Sequence, residues 1–342
     1  MGYTRGMGYR QYIFASLWVL LLAFFTGCSS VVESSSTVKT KEGTTPLYRL
    51  SNDKLTVEVL PELGGKVIAI KDCDGFNYLS RSNKPYIERS DTMTYLDTEF
   101  DGIDECFMSI EPSIYPTGSR KGVSVKDHGP LPYMKWQRLD DDGLSFFADM
   151  TTWSASFQRQ IQLDANRVSF SYSLTNYGKE ELFFIYAFHP LFSADTGTNI
   201  HWSDELKIQA SYSTNNFLKK QGDELIWGDI KGVDEKSLFK EAQFKANSNQ
   251  YYKYFTKDPG IRSVDLTHAN QKGLTIEWDN TFTPFVAVWC SQGSVGGLHH
   301  IAIEPTNARF DSLAKAYGHK KSTAILPGQT LQWTISILIH EQ

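Results

Sequence analysis

Two titratable side chains of this 342-residue sequence stand near the ends of apolar, strand-like runs. One run, residues 188–192, reads Phe-His-Pro-Leu-Phe and carries His189; the other, residues 301–305, reads Ile-Ala-Ile-Glu-Pro and carries Glu304. A buried imidazole or carboxylate costs stability unless it is paired or partly hydrated. Brought together, these two groups would supply a general acid and a general base for one small substrate.

Each of these side chains also has a purely structural interpretation. His189 would then be a core histidine bonded to a backbone carbonyl, and Glu304 would cap backbone N–H groups or pair with a lysine. Strand alternation favours a shared site, because His189 shares a face with Ala187 and Glu304 shares a face with Ala302 in an extended chain. The small alanines leave room in front of the polar atoms.

Two further segments carry polar groups on predicted turns. His128 stands before Gly-Pro within residues 126–131, and loops carry a large share of binding groups. Residues 100–107 place Asp104 and Glu105 just after a glycine turn. The spacing of these acids does not fit an EF-hand calcium loop, and we predict no metal site.

The pattern of the body predicts sheets rather than helices. Residues 55–60 alternate between apolar and polar types, whereas residues 182–188 form a continuous apolar block typical of a strand buried on both faces. Helical periodicity is nearly absent: one or two turns are expected within residues 311–317, and another short helix could form within residues 235–245. We therefore predict an all-β domain over residues 46–342, built as a large antiparallel sandwich of two sheets.

The start of the chain predicts export and a lipid anchor. Residues 1–27 combine a basic beginning with a short apolar run, as in a secretory signal peptide, and residues 25–28 resemble a bacterial lipobox that ends at Cys28. An ordinary cleaved signal peptide with an incidental cysteine is the alternative. Residues 28–45, rich in serine and threonine, are expected to be a flexible tether. We expect a membrane-anchored lipoprotein on the periplasmic or cell-surface side, in the outer membrane.

Composition excludes some partners and leaves others open. The net charge of −5, with scattered lysine and arginine, argues against nucleic acid. An aromatic content of 13% suits a half-hydrated cleft that binds sugar, although most aromatic residues will lie in the core. Cys73, Cys106 and Cys290 show no zinc-like spacing, and either one disulfide with one free thiol or three thiols would fit. We expect a monomer.

Six short segments, in this order along the chain, resemble the aldose 1-epimerase (galactose mutarotase-like) family. They are residues 60–65, 102–107, 128–129, 188–192, 301–306 and 326–330. The resemblance covers roughly residues 47 to 340. It implies a β-supersandwich with an open cleft, acid–base chemistry at the anomeric centre of a free sugar, and neither a metal nor an organic cofactor.

The same resemblance assigns roles to individual residues. Glu304 matches the general base of the family, His189 its general acid, and His128 a histidine that contacts the substrate. The remaining candidates for sugar binding, two acids and three residues that could stack on the apolar face of a sugar, are Asp104, Glu105, Trp136, Trp278 and Trp289. The chain lacks an arginine in an Asn-Arg-Ile-like phrase within its first hundred residues, so it is closer to the divergent branch that includes hexose-phosphate epimerases. It nevertheless shows no arginine cluster for a phosphate.

Two other functions fit the same sequence. The cleft could hold a glycan without catalysis, as part of a lipoprotein of a carbohydrate-uptake system. Alternatively, the chain could be a glycan-cleaving hydrolase or lyase, because one fold hosts several chemistries. Hydrolysis would require a second carboxylate opposite Glu304, with Asp104 or Glu105 as candidates.

Overall fold

The computed structural model describes residues 30–90, 92–139, 144–202, 206–214, 218–227, 249–295 and 297–341. The predicted signal peptide (residues 1–27) and the predicted lipidation site Cys28 lie outside the described residues. Among the residues that are described, no helix has the length and apolar character needed to cross a membrane.

Antiparallel strands make up nearly all of the regular structure, which confirms the predicted all-β class. The strands are β1 (Val32–Lys39), β2 (Thr44–Ser51), β3 (Leu55–Leu60), β4 (Lys66–Asp72), β5 (Ile103–Phe107), β6 (Ser113–Ile114), β7 (Ser124–Val125), β8 (Gln137–Leu139), β9 (Leu144–Met150), β10 (Ala155–Asp164), β11 (Arg167–Asn176), β12 (Leu182–Phe184), β13 (Tyr186–Ser193), β14 (Asn199–His201), β15 (Lys207–Ser213), β16 (Glu224–Ile226), β17 (Tyr251–Thr256), β18 (Ser263–Thr267), β19 (Gly273–Trp278), β20 (Phe285–Val295), β21 (Leu298–Thr306), β22 (Thr323–Ile325) and β23 (Thr330–Ile339).

Within the described residues the helices are short, and the possible helix within residues 235–245 lies outside those residues. The helix expected within residues 311–317 is present as α1 (Leu313–Gly318), and the Ser312 side chain caps it by accepting a hydrogen bond from the Lys315 N–H. Single turns of 3-10 helix cover Pro61–Leu63, Tyr95–Asp97, Gly118–Arg120, Leu131–Tyr133 and Thr151–Trp153.

Two large sheets stack on one another, as predicted. Eleven strands form one sheet in the order β1-β2-β3-β4-β5-β13-β21-β20-β17-β15-β16, and eight form the other in the order β14-β18-β19-β23-β11-β10-β9-β8. Aromatic side chains from both sheets meet between them; Phe170 of β11 lies 5.4 Å from Phe188 of β13, measured between ring centroids. This layer forms the main hydrophobic core.

Alternation along the middle strands of the eleven-stranded sheet separates an inner face from an outer face. Ile301 and Ile303 belong to the main core, whereas Ala302 packs with Leu191 in a separate small cluster. The two strands bring these residues together because Leu191 of β13 stands opposite Ala302 of β21. The outer face of β5, β13, β21, β20 and β17 therefore forms one continuous surface away from the main core.

The beginning of the described chain differs from the expected tether. Residues 32–39, predicted to be part of a flexible tether over residues 28–45, form the edge strand β1, which pairs along its whole length with β2. Nearly every side chain of β1 is exposed, so backbone hydrogen bonds rather than apolar burial hold it in place. Serine and threonine tolerate this role, and their polarity does not by itself predict a disordered segment.

Candidate active site

A cavity of about 180 Å³ opens on the outer face of the eleven-stranded sheet. Its lining consists of Phe100, Ile110, Glu111, Asp127, His128, His189, Tyr212, Lys253, Trp289, Glu304 and Asp311. Four of the residues singled out in the sequence, His128, His189, Trp289 and Glu304, are thus brought to one cavity from four separate segments.

His189 and Glu304 come together because their strands, β13 and β21, are neighbours. His189 Nε2 lies 3.8 Å from Glu304 Oε1, and both side chains are buried. This separation is longer than a hydrogen bond, and Glu304 Oε1 has no hydrogen-bond partner within the described part of the chain. One oxygen of a buried carboxylate therefore remains available beside an imidazole.

Lys253 organises the acidic side of the cavity, and sequence reasoning missed it. Its Nζ lies 3.1 Å from Glu304 Oε2 and 2.8 Å from Asp311 Oδ1. The Ser211 hydroxyl donates a hydrogen bond to the other oxygen of Asp311. A signal was present, because Lys253 interrupts the apolar strand β17, and a lysine on a buried strand requires anionic partners.

His128 is held in place by a tight turn. Its backbone φ is +62°, and Gly129 follows with φ +71°, where a Cβ would collide with the carbonyl oxygen of Phe107. His128 Nδ1 lies 2.9 Å from a carboxylate oxygen of Asp127. The imidazole also stacks on Tyr95, with ring centroids 3.6 Å apart. These contacts fix the ring, and neither of them uses Nε2.

Asp104 is not among the residues that line the cavity, and its role in sugar binding stays a prediction. Its carboxylate accepts hydrogen bonds from Tyr95 Oη at 2.8 Å and from Lys66 Nζ at 2.6 Å. The Tyr95 hydroxyl is also 3.5 Å from His189 Nδ1. Asp104 thus supports the two histidines indirectly, through Tyr95.

Glu105 faces the opposite side of the sheet, so the structure does not bring it together with the other predicted site residues. It accepts hydrogen bonds from Arg159 at 3.2 Å, Tyr172 at 2.8 Å and Tyr186 at 2.9 Å within the main core. Adjacent residues of a strand point to opposite faces, so Asp104 and Glu105 could not both have faced the cavity.

Of the three tryptophans predicted to stack on sugar, only Trp289 lines the cavity. Trp136 is buried against the guanidinium of Arg159 and donates from its indole to the carbonyl of Leu131. Trp278 is buried on β19 of the eight-stranded sheet. A cluster of core aromatics and a sugar-stacking aromatic look alike in sequence, and only the position relative to the cavity separates them.

Burial shifts the proton affinities of the acid–base pair in opposite directions. Burial raises the pKa of Glu304, while the charge of Lys253 opposes this shift. Burial, reinforced by the charges of His128 and Lys253, holds the pKa of His189 well below its usual range. Burial by itself would lower the pKa of Lys253. The negative charges of Asp311 and Glu304 outweigh burial and raise this pKa well above its usual range. Lys253 therefore stays charged, whereas His189 favours its neutral form.

Cysteine and histidine ligands for a metal also meet at this cavity. One potential ligand atom each from Cys106, His128 and His189 lie within 4.8 Å of one another. Cys106, like Cys73 and Cys290, is a free thiol, which settles the disulfide question left open by the sequence for these three residues.

Comparison with known proteins relates this chain to solved structures by fold alone. No protein-family model and no curated protein sequence matches this chain. Among solved structures, a candidate aldose 1-epimerase from Klebsiella pneumoniae subsp. pneumoniae MGH 78578 matches with a TM-score of 0.63 and 13% identity, over 91% of this chain and 87% of its own.

Two Lactobacillus proteins give similar matches. A galactose mutarotase-like protein from Lactobacillus casei ATCC 334 has a TM-score of 0.59 and 16% identity, over 86% of this chain and 100% of its own. A galactose mutarotase related enzyme from Lactobacillus acidophilus has a TM-score of 0.63 and 13% identity, over 86% and 97%. At these identities the likeness is one of fold: this chain has the galactose mutarotase-like fold, as its motif order predicted.

Proposed function

We propose that this protein interconverts the anomers of a free aldose by acid–base ring opening. The observation that carries the proposal is the approach of His189 Nε2 to Glu304 Oε1, 3.8 Å apart at the wall of a cavity, with no hydrogen-bond partner for that oxygen in the described residues. The fold shared with mutarotase-like proteins supports the same reaction.

The reaction requires two proton transfers and no external oxidant or reductant. A base removes the proton from the hydroxyl on C1 while an acid protonates the ring oxygen, and the bond between C1 and the ring oxygen breaks to give the open-chain aldehyde. Rotation about C1–C2 presents the other face of the carbonyl, and the two groups then run the steps in reverse. Each positioned group typically contributes about 10²–10⁴ in rate.

His189 and Glu304 together must hold one proton for this chemistry. With that proton on His189, Glu304 is the base, which is the assignment implied by the family resemblance. With the proton on Glu304, the roles exchange, and burial favours this arrangement because it raises the pKa of Glu304 and lowers that of His189. Lys253 favours the ionised carboxylate. In either case the pair loses activity when it holds two protons or none, so the rate follows a bell-shaped pH profile.

The charge of the cavity favours an uncharged or cationic sugar. Its described lining carries the four acids Glu111, Asp127, Glu304 and Asp311, against one lysine, Lys253. That lysine is already paired with two of the acids. A phosphate or a carboxylate on the sugar would meet repulsion and no free cation among these residues.

Anomer-exchange NMR tests the proposal directly. We expect the purified protein to accelerate exchange between the α and β signals of at least one free hexose, and to leave the matching hexose 6-phosphate at its spontaneous rate. Saturable binding of free sugars without faster exchange would identify a glycan-binding protein instead. Release of shorter products from oligosaccharides would identify a hydrolase or lyase.

We further propose that the chain is exported and lipid-anchored through Cys28. The paired strand β1 begins at Val32, so three residues, 29–31, separate it from the anchor. They span at most about 11 Å, which would hold the domain close to the membrane rather than on a long tether. Metabolic labelling with a radioactive fatty acid should mark the wild-type protein and not Cys28→Ser; equal labelling of the two would exclude this anchor.

A further inference from the structure

We propose that Cys106, His128 and His189 form a binding site for a borderline or soft transition-metal cation such as Zn²⁺. The two histidines line the cavity, and the buried Cys106 lies beside them. One ligand atom of each side chain lies within 4.8 Å of the other two. A thiolate with two imidazoles is a donor set that selects zinc or copper over magnesium or calcium.

The fold brings these three ligands together from separate segments. Cys106 of β5 stands opposite Ala187 of β13, and His189 follows two residues later, on the same face of the sheet as Ala187. Cys106 shares the outer face because its neighbour Glu105 points into the main core. His128 enters from the turn above, and both histidines line the cavity.

The surroundings of His128 give an independent reason to expect a ligand. Asp127 Oδ1 lies 2.9 Å from His128 Nδ1, so the carboxylate accepts the Nδ1–H and leaves Nε2 with its lone pair free. A carboxylate behind the distal nitrogen is the arrangement that orients most metal-binding histidines. Glu304 adds a second indication, because its buried Oε1 lacks a hydrogen-bond partner in the described residues and lies 3.8 Å from His189 Nε2.

The three ligand atoms need to move only slightly closer together to bind one metal ion. Bonds of about 2.0–2.3 Å to a tetrahedral zinc ion place ligand atoms roughly 3.3–3.8 Å apart. The present separations, up to 4.8 Å, therefore need movements of about 1 Å, which the cavity permits on the histidine side. On binding, the Cys106 thiol releases its proton to solvent and the thiolate donates an electron pair to the cation, with no change of oxidation state.

A bound cation would compete with sugar, a consequence that rests on the proposed function. The metal would occupy His189 and His128, the groups that face the substrate, so the loaded protein should not catalyse anomer exchange. The site would then make activity sensitive to zinc.

Cobalt titration of the full chain tests the site without reference to activity. We expect one equivalent of Co²⁺ to produce tetrahedral d–d bands and a thiolate-to-cobalt charge-transfer band, and Zn²⁺ to displace them. Cys106→Ser should lose the charge-transfer band and bind Co²⁺ at least roughly 100-fold more weakly. Cys290→Ser is the matched control: Cys290 is also a buried thiol, but it stands opposite Ile301 on the inner face of the sheet, and the variant should titrate like the wild type.

A measurement on the wild type keeps the proposal testable if Cys106→Ser fails to fold. X-ray absorption of the zinc-loaded protein should show one sulfur ligand and at least two nitrogen ligands. Four results would each overturn the proposed site: no cobalt bands, wild-type Co²⁺ affinity in Cys106→Ser, an equal loss of affinity in Cys290→Ser, or a zinc ligand shell without sulfur.

The competition with sugar is tested by measuring anomer exchange with zinc and after chelation. Inhibition that chelation reverses, and that does not occur in Cys106→Ser, supports the competition. No exchange in the metal-free protein would defeat the proposed function and leave the cobalt result standing.

Discussion

Glu105 and Glu304 are two carboxylates buried on opposite faces of the same sheet, with different surroundings. Glu105, in the main core, accepts hydrogen bonds on both oxygens, from Arg159 and Tyr172 on one and from Tyr186 on the other. Glu304, at the cavity, uses one oxygen to pair with Lys253 and keeps the other without a hydrogen-bond partner in the described chain. Both side chains are 0% exposed, so burial alone does not distinguish them.

The difference separates a fully hydrogen-bonded carboxylate from the one that we propose to react. A buried polar atom without a partner costs roughly 1–3 kcal/mol, and a fold with no use for that atom would be expected to satisfy it. Glu105 meets this expectation fully. Glu304 bears the cost beside an imidazole and on a cavity wall, where the proposed mechanism places a hydroxyl of the sugar. The unpaired oxygen and its position on the cavity wall, rather than depth of burial, therefore support the proposed role of Glu304.

Glu304→Gln gives the largest expected effect and tests the reactive half of this comparison. The amide keeps the shape but cannot exchange a proton, so we expect anomer exchange to fall by about 10²–10⁴. Anomer-resolved NMR measures the rate, and thermal unfolding checks that the variant is folded. Exchange at the wild-type rate in folded Glu304→Gln would remove this residue from the mechanism.

Glu105→Gln tests the structural half. It leaves the guanidinium of Arg159 buried without its counter-ion, and breaking such a pair costs about 3–5 kcal/mol of unfolding free energy. Denaturant unfolding measures this loss, and the activity per folded molecule should stay near the wild-type value. A stable but inactive Glu105→Gln would mean that the inner face takes part in catalysis and would break the comparison.

The sequence predicted the face of His189 and Glu304 better than the positions of Asp104 and Glu105. Alternation around His189 and Glu304 placed both on the outer face, and the order of motifs predicted the fold. Alternation could also have shown that Asp104 and Glu105, as neighbours on a strand, face opposite ways. It could not show which strands become neighbours, so the pairing of Lys253 with Glu304, 51 residues along the chain, was out of reach.

Lys253→Met tests how the cavity sets the proton affinity of its pair. Lys253 lowers the pKa of both Glu304 and His189, so its removal should make both groups hold protons more tightly. We expect both limbs of the pH–rate profile to move to higher pH, by about 1 unit or more. Rates of anomer exchange across pH 4–9 measure the shift.

Lys66→Met is the matched control for that experiment. Lys66 is also a buried lysine paired with an aspartate, Asp104, but it lies behind the cavity and does not line it. We expect Lys66→Met to reduce stability more than it moves the pH profile. Equal shifts of the profile in the two variants would mean that Lys253 acts only through the general charge of the region.

His300→Phe is expected to have the smallest effect of these substitutions. It tests whether a buried histidine that lies near the cavity without lining it contributes to stability alone. Burial lowers the pKa of His300 to about 3, and neither ring nitrogen has a hydrogen-bond partner in the described residues. Between pH 6.5 and 3 the unfolded chain binds a proton at this site that the folded chain does not. The free energy of unfolding therefore decreases as the pH is lowered, by up to about 1.4 kcal/mol per pH unit. His300→Phe should remove that slope and keep anomer exchange at neutral pH, whereas the exposed His201→Asn should leave the slope unchanged. Denaturant unfolding between pH 7 and 4 measures the slope; if it stayed as steep in His300→Phe, the acid sensitivity would have to come from His189 and other groups.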